Sequence, residues 1–411
     1  MKYIAKRFTI HFLLAITAMM FVLSSCNKNV EQFPDNVAVT PTTPALGETI
    51  ATIADDSLYY RMIVRGGMLT TINTKSNIFT MFVPNNAAMR QFVTAASGGA
   101  VPAGAPDAVV SGFIASTLPA ATAAQIVSYN MMPQAIKMSS IPNTFPNFYY
   151  PTNLNPTSGS SFNPLVRLLT FPSTRNGNWV NNIPLTAVDN VVANGVIHTA
   201  AAVPAPPSKV LAQRIFADAD MTYFAAAVNR ADSGVSPTTS ASLVWVLSNF
   251  GPNVTVFVPT NAAMQGLLTA QITAALIAQG VPPATAAIQA ATLASSPSVF
   301  SNPALYSVLT AQVVKGIVVY HMLGNRAFLN NFPTTATSYP TLLNSAVPTH
   351  PGVSLSATFT GGVVTAATIK GVANATASTI LINPTPEPNG TSDQHFINGT
   401  IHKINQVLLP Q

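Results

Sequence analysis

The chain has 411 residues, 48% of them hydrophobic and only 7% charged, with a formal net charge of +6. That length exceeds one ordinary domain, and the apolar fraction excludes a chain kept disordered by its own charge. Without Lys2, Lys6 and Arg7 the net falls to +3 with no basic cluster elsewhere, which leaves nucleic-acid binding without support.

A single cysteine, Cys26, excludes an intramolecular disulfide and a cysteine-based metal cluster. Lys2, Lys6 and Arg7 form a positive segment, Phe8 to Val22 an apolar one, and Leu23-Ser24-Ser25-Cys26 closes it with small residues. This resembles a bacterial lipoprotein signal with its lipobox, which implies loss of residues 1–25 and a lipid on Cys26. The implied address is the outer membrane of a Gram-negative bacterium, in either leaflet. The alternative, a short N-terminal membrane helix with an incidental cysteine, has a short apolar run for a span. Residues 26–47, with Pro34, Pro41, Pro44 and several Thr, read as an extended tether.

The first domain is expected over residues 48–203. Ile50, Ile53, Leu58, Tyr59, Met62 and Ile63 fall on helical spacings that Gly66 and Gly67 end. TMFVPNNAAM follows at Thr80 to Met89: a β-branched and aromatic run stopped by Pro84, then polar residues able to cap a helix. Asp107 to Leu118 and Ala120 to Tyr129 are predicted helices. Ser139 to Asn182, rich in Asn, Pro and aromatics, suggests short hairpin strands with long turns. VVANGVIHTAAAV, Val191 to Val203, gives a hairpin about Asn194-Gly195.

A stiff linker with Pro204, Pro206 and Pro207 occupies residues 204–208. The second domain, 209–411, repeats the order. It predicts a helix from Val210 to Ala227, another around Leu243 to Asn249, and the strand and cap of TVFVPTNAAM at Thr255 to Met264. An Ala-rich insertion broken at Pro282 and Pro283 comes next, then a helix from Leu305 to Ile317 feeding a strand over Val318 to Leu323. Strands are expected at Val353 to Phe359, Val363 to Ile369 and Ser378 to Ile382, and an Asn398-Gly399 turn before Ile401-His402.

Three elements thus recur in order: FVPNNAAM and FVPTNAAM, SYNMM at Ser128 to Met132 and VYHML at Val319 to Leu323, NGVIH at Asn194 to His198 and NGTIH at Asn398 to His402. Together they resemble the fasciclin-like (FAS1, fasciclin I) domain, whose two sequence-similar segments flank a Tyr-His element. The first domain departs from it, with Asn130 where the family has histidine. The resemblance implies an α+β fold of two tandem domains, each a wedge-like β-sandwich with packed helices. It also implies binding or adhesion at cell surfaces rather than catalysis.

Its motif positions here are Asn86, Tyr129, His198, Asn261, Tyr320, His321 and His402. The histidines offer either a metal or catalytic site or buried imidazoles hydrogen-bonded between strands. Asn130 favours the second, because an amide keeps a hydrogen bond but cannot relay a proton. His350 and His395 read as loop residues. No metal, cofactor or enzyme signature is legible. Phe148, Tyr149, Tyr150 and Trp179, with Phe145, are the local candidates for ligand contact, since aromatic faces beside Asn side chains suit sugar rings; the alternative is a loop closed over its own aromatics. The expected partner is a surface protein or glycan. An accessory role beside an outer-membrane nutrient transporter is the second expectation.

Overall fold

The computed structural model describes residues 43–156 and 166–411. The leader, Cys26 and most of the tether lie outside them. In the first domain α1 (Leu46–Thr52), α2 (Ser57–Arg65) and α3 (Leu69–Asn73) precede β1 (Phe79–Pro84). Then come α4 (Asn86–Ala96), α5 (Asp107–Ser116), α6 (Ala120–Tyr129) and β2 (Met131–Met132). Short strands β3 (Tyr150–Pro151), β4 (Leu169–Thr170), β5 (Pro172–Ser173) and β6 (Trp179–Val180) lead to the long hairpin β7 (Ile183–Val192) and β8 (Gly195–Ala200).

The second domain runs α7 (Leu211–Ile215), α8 (Thr222–Ala231), α9 (Leu243–Ser248), β9 (Val254–Pro259), α10 (Asn261–Ala278), α11 (Pro283–Leu293), α12 (Ala311–Tyr320) and β10 (Met322–Leu323). It ends with β11 (Thr337–Tyr339), β12 (Val353–Thr360), β13 (Val363–Lys370), β14 (Ser378–Thr379), β15 (Gln394–Phe396) and β16 (Gly399–Ile404).

The signature strand is central in both domains. β1 pairs parallel to β8 and antiparallel to β2, and β9 pairs the same way with β16 and β10. All six residues of β1 and of β9 are buried, because each strand is covered on both faces. Met81 and Val83 face the helical core while Phe82 faces a second core with Met132, Ile136 and Tyr150. Val256 and Val258 against Phe257 repeat the alternation, and Phe257 packs over the sheet β11-β12-β13-β14. Each such side chain contributes roughly 1.5–3 kcal/mol by leaving water.

Several expectations change in detail. Residues 44–47 belong to the first domain rather than to the tether: Ala45 and Leu46 are fully buried, and the Ala193 N–H donates to the Pro44 carbonyl. The expected helix from Val210 is two helices, since Met221 and the residues before it form turns between α7 and α8. The Tyr-His element is not a strand. Val318 and Val319 continue α12, where burial of Val314 and Val318 against the helical core outweighs the β preference of β-branched residues, and only Met322 and Leu323 pair with β9.

Each Asn-Gly hairpin is displaced by one residue. Val192 pairs with Gly195 and Phe396 with Gly399, so the turn residues are Ala193-Asn194 and Ile397-Asn398, and each glycine opens a strand. A side chain at Gly195 would run into the Phe79 carbonyl, and one at Gly399 into the Val254 carbonyl. Asn194 Oδ1 accepts from the Leu46 N–H, while its Nδ2 donates to the Ile72 and Asn77 carbonyls. Asn398 serves Leu211, Val246 and Leu247 identically. The motif therefore ties the last hairpin to the first helices, a role beyond turning the chain.

Candidate functional site

The polar pair after each signature strand divides its work. Asn85 and Thr260 are the caps, accepting from the Ala88 and Ala263 N–H groups. Asn86 and Asn261 reach instead to another helix start: Asn86 Oδ1 accepts from Leu58 N–H and its Nδ2 donates to Ala54 O, and Asn261 does so with Tyr223 and Ala219. Both are structural ties.

His198 and His402 occupy equivalent places. In each ring Nε2 donates to a carbonyl, Ile136 at 3.1 Å or Ala327 at 3.0 Å. Nδ1 accepts from the backbone N–H of Asp189 at 3.0 Å or Asp393 at 3.2 Å. Those aspartates stand at φ of 65° and 51° and lie 3.8 and 3.9 Å from the rings. Their carboxylates are engaged as well, accepting from the Met138 and Leu329 N–H groups. Burial lowers both histidines to about 4, so the neutral tautomer with hydrogen on Nε2 persists at neutral pH. A ring whose lone pair is already occupied and whose N–H is already donated has nothing left for a substrate or a metal. Among the described residues no cluster of three His, Cys, Asp or Glu side chains converges on one point.

His321 caps α12: its Nδ1 donates to the Ile317 carbonyl at 2.8 Å and its Nε2 accepts from the Leu408 N–H at 2.9 Å. Burial lowers it to about 4. At the corresponding corner of the first domain Asn130 donates to the Tyr59 hydroxyl. Tyr129 and Tyr320 are fully buried, bonded to the Leu169 and Gly352 carbonyls. Of the two histidines read as loop residues, His350 lies in a loop and His395 does not. His350 bonds the Pro410 carbonyl and the Gly352 N–H, and His395 lies in β15.

The aromatic candidates for ligand contact fare differently from one another. Tyr150 and Trp179 are 1% and 8% exposed and pack inward, so neither offers a ring face to a ligand. Phe148 and Tyr149 are half-buried and stacked on each other at 5.9 Å. The segment around them is mainly occupied by the second domain. Phe145 sits edge-on to Phe332 and Tyr339, and Asn147 exchanges hydrogen bonds with the Arg326 carbonyl and the Phe328 N–H. Ser173 donates to Asn331 at 2.6 Å, Asn176 to the Asn330 and Phe332 carbonyls, and Asn331 to Thr144.

Arg326 is the centre of this contact and was not anticipated. It is 1% exposed, stacks 4.6 Å over Phe171 of the first domain, and donates to the Phe396 and Ile397 carbonyls. His395 lies against Tyr129, Phe171 and Phe328 in the same layer. The signal available beforehand was the stretch Arg326 to Phe332, two Asn between aromatics, which mirrors the Asn and aromatic bias of Ser139 to Asn182. Beside this contact a cleft of about 510 Å³ opens between the domains, walled by Pro204, Pro206, Pro207, Pro384 and Pro386, with Asp393, Gln394 and His395 among its lining.

Residues 56–203 and 221–410 both match the family described as Fasciclin domain. The chain is also similar to the structure of a FAS1 domain pair from the insect cell adhesion molecule Fasciclin I, at 15% identity and a TM-score of 0.31, over 85% of this chain and 95% of that one. No curated protein matches it in sequence. With two matched segments spanning more than half its length, the chain belongs to the Fasciclin domain family as a tandem pair of domains.

Proposed function

We propose that this protein is a lipid-anchored adhesion module of the bacterial envelope that binds a surface protein or glycan through the joined surface of its two domains. Fasciclin domains are in general modules of cell adhesion or protein–protein interaction, and the family is non-catalytic in type. The observation that carries the reading is the buried contact around Arg326. It holds two domains together without a catalytic constellation, so both present one combined surface with a cleft at the junction. The leader ending at Cys26 supplies the anchor, and the outer membrane is the proposed site.

Crosslinking on intact cells, with recovery through a C-terminal tag, tests this. Neighbouring-cell proteins, matrix glycans or further copies of the chain among the products support adhesion. A transporter recovered in fixed ratio would replace it with an accessory role in uptake. Labelling with an alkyne fatty acid that disappears in Cys26→Ala tests the anchor.

A further inference from the structure

A second depression lies wholly within the second domain, away from the junction cleft. About 430 Å³ in volume, it is lined by Asn229, Arg230, Ser233, Ser298, Ser301 and Tyr306 among others, with no carboxylate in its wall. Arg230 stands in the last turn of α8, and its Nε donates to the Leu309 carbonyl at 2.8 Å. Its guanidinium carbon lies 3.7 Å over the ring of Tyr306. One edge of the fork is thus fixed by the backbone and one face by a ring, while the terminal nitrogens carry no carboxylate partner among the described residues. The nearest acid in sequence, Asp232, is spent on the start of α9, accepting from Ser242 and from the Leu243 and Val244 N–H groups.

We infer that this groove binds an anionic sugar, a uronic acid residue of an acidic polysaccharide. A planar guanidinium held from two sides matches one carboxylate through two parallel hydrogen bonds. Ser233, Ser298, Ser301 and Asn229 are exposed and match ring hydroxyls, Ser298 and Ser301 through their oxygen lone pairs, since Ser301 already donates to the Ser298 carbonyl and Ser298 shares a hydrogen bond with Ser296. An acidic peptide would bring no ring hydroxyls to the serines and the Asn229 amide of the wall. A neutral glycan would leave the guanidinium without its partner.

The first domain holds a built-in control. Arg65 occupies the position of Arg230 and donates its Nε to the Leu118 carbonyl at the same 2.8 Å, yet no ring stacks on it among the described residues. The turns from Pro297 to Tyr306 that form the groove follow α10 and α11 and lead to Leu309, whereas in the first domain the helix α5 leads to Leu118.

The inference rests on the reading of the protein as a surface binder and names the ligand class of one site. It is tested by titrating the purified full chain with trigalacturonate, its methyl-esterified counterpart and tri-aspartate. Trigalacturonate is expected to bind at least tenfold more tightly than either. Arg230→Gln removes the cation. Ser233→Asp, at an exposed position, puts a carboxylate beside it without disturbing the Leu309 bond. Both should weaken trigalacturonate at least tenfold, while Arg65→Gln leaves it unchanged. Equal binding of the ester or of tri-aspartate, or full affinity in folded Ser233→Asp, overturns the inference. If acidic sugar does not bind while surface crosslinks persist, this site falls and adhesion stands; sugar binding without any crosslinked partner has the opposite meaning.

Discussion

In the second domain His321 closes helix α12, faces the ring of Phe224 at 6.1 Å and accepts a hydrogen bond from Leu408; in the first, Asn130 stands at that corner and donates to Tyr59. Aligning the two copies through their final histidines puts Pro204 opposite Leu408. Proline has no N–H to give, so an imidazole there would lose the donor that occupies its lone pair. The polar handle has moved across the contact instead, from the capping residue to the hydroxyl of Tyr59. The two corners show that the family's histidine serves as wiring, replaceable when its partners change together. The Asp-His pairs, the Asn-Gly hairpins and the Asn86 and Asn261 ties have the same partners in both copies.

The largest way to break this likeness is at the contact between the domains, where the copies differ most. Arg326→Ala strips two carbonyls of their donor and opens a void against Phe171, at an expected cost of about 3–5 kcal/mol. Urea denaturation followed by far-UV dichroism and by Trp245 and Trp179 fluorescence should show one transition in the native chain and two in the variant.

Acid should next separate the copies. His198, His321 and His402 have folded pKa values of about 4, below the ordinary 6.5, because burial disfavours the charged ring. The unfolded chain therefore takes the proton first. Each histidine removes about 3 kcal/mol as pH falls from about 6.5 to below 4. Two of the three lie in the second domain, together with His395, which burial and Arg326 also hold well below its ordinary value. Asp56 and Asp393, both raised to about 7 chiefly by burial, act in the opposite sense, one in each domain. Hydrogen exchange should show β16 losing protection at a higher pH than β8.

The hairpin ties should behave alike in both copies. Asn194→Ala and Asn398→Ala each leave buried backbone groups unpaired and should cost about 2–3 kcal/mol by chemical denaturation. A difference above about 1 kcal/mol between them would sink the claim that the wiring is equivalent. The smallest effect is expected at the capping corner. His321→Asn should cost about 1–2 kcal/mol, and pairing it with Phe224→Tyr should recover roughly 1 kcal/mol in a double-mutant cycle. Asn130→His should recover nothing, since Pro204 still lacks the donor.

Much of the wedge-like sandwich was legible because the chain writes it twice. FVP followed by a polar pair marks a strand that must stop at proline and a helix that must be capped, and both are local facts. The helices at Asp107 and Ala120 were readable from spacing for the same reason, whereas the one that starts at Pro283 was hidden in an Ala-rich stretch without a marked apolar face. Val318 to His321 misled because two β-branched residues carry a strand preference that only packing overrides. The aromatic segment left two readings open, and packing chose between them: Tyr150 joins Val180 and Ile136 in one core cluster, and Trp179 pairs between β5 and β7 at 8% exposure.

The sequence by itself determined the tandem repeat, the family, the buried signature strands and the capped corners, since these depend on residue type, period and short-range backbone chemistry. Only the tertiary structure decided that the histidines are satisfied from both sides, that Asn194 and Asn398 bind helices more than a hundred residues away, and that Arg326 joins the two domains. Those outcomes depend on which carbonyl, N–H or ring lies across the contact, and long-range partners leave no period in the chain that makes them.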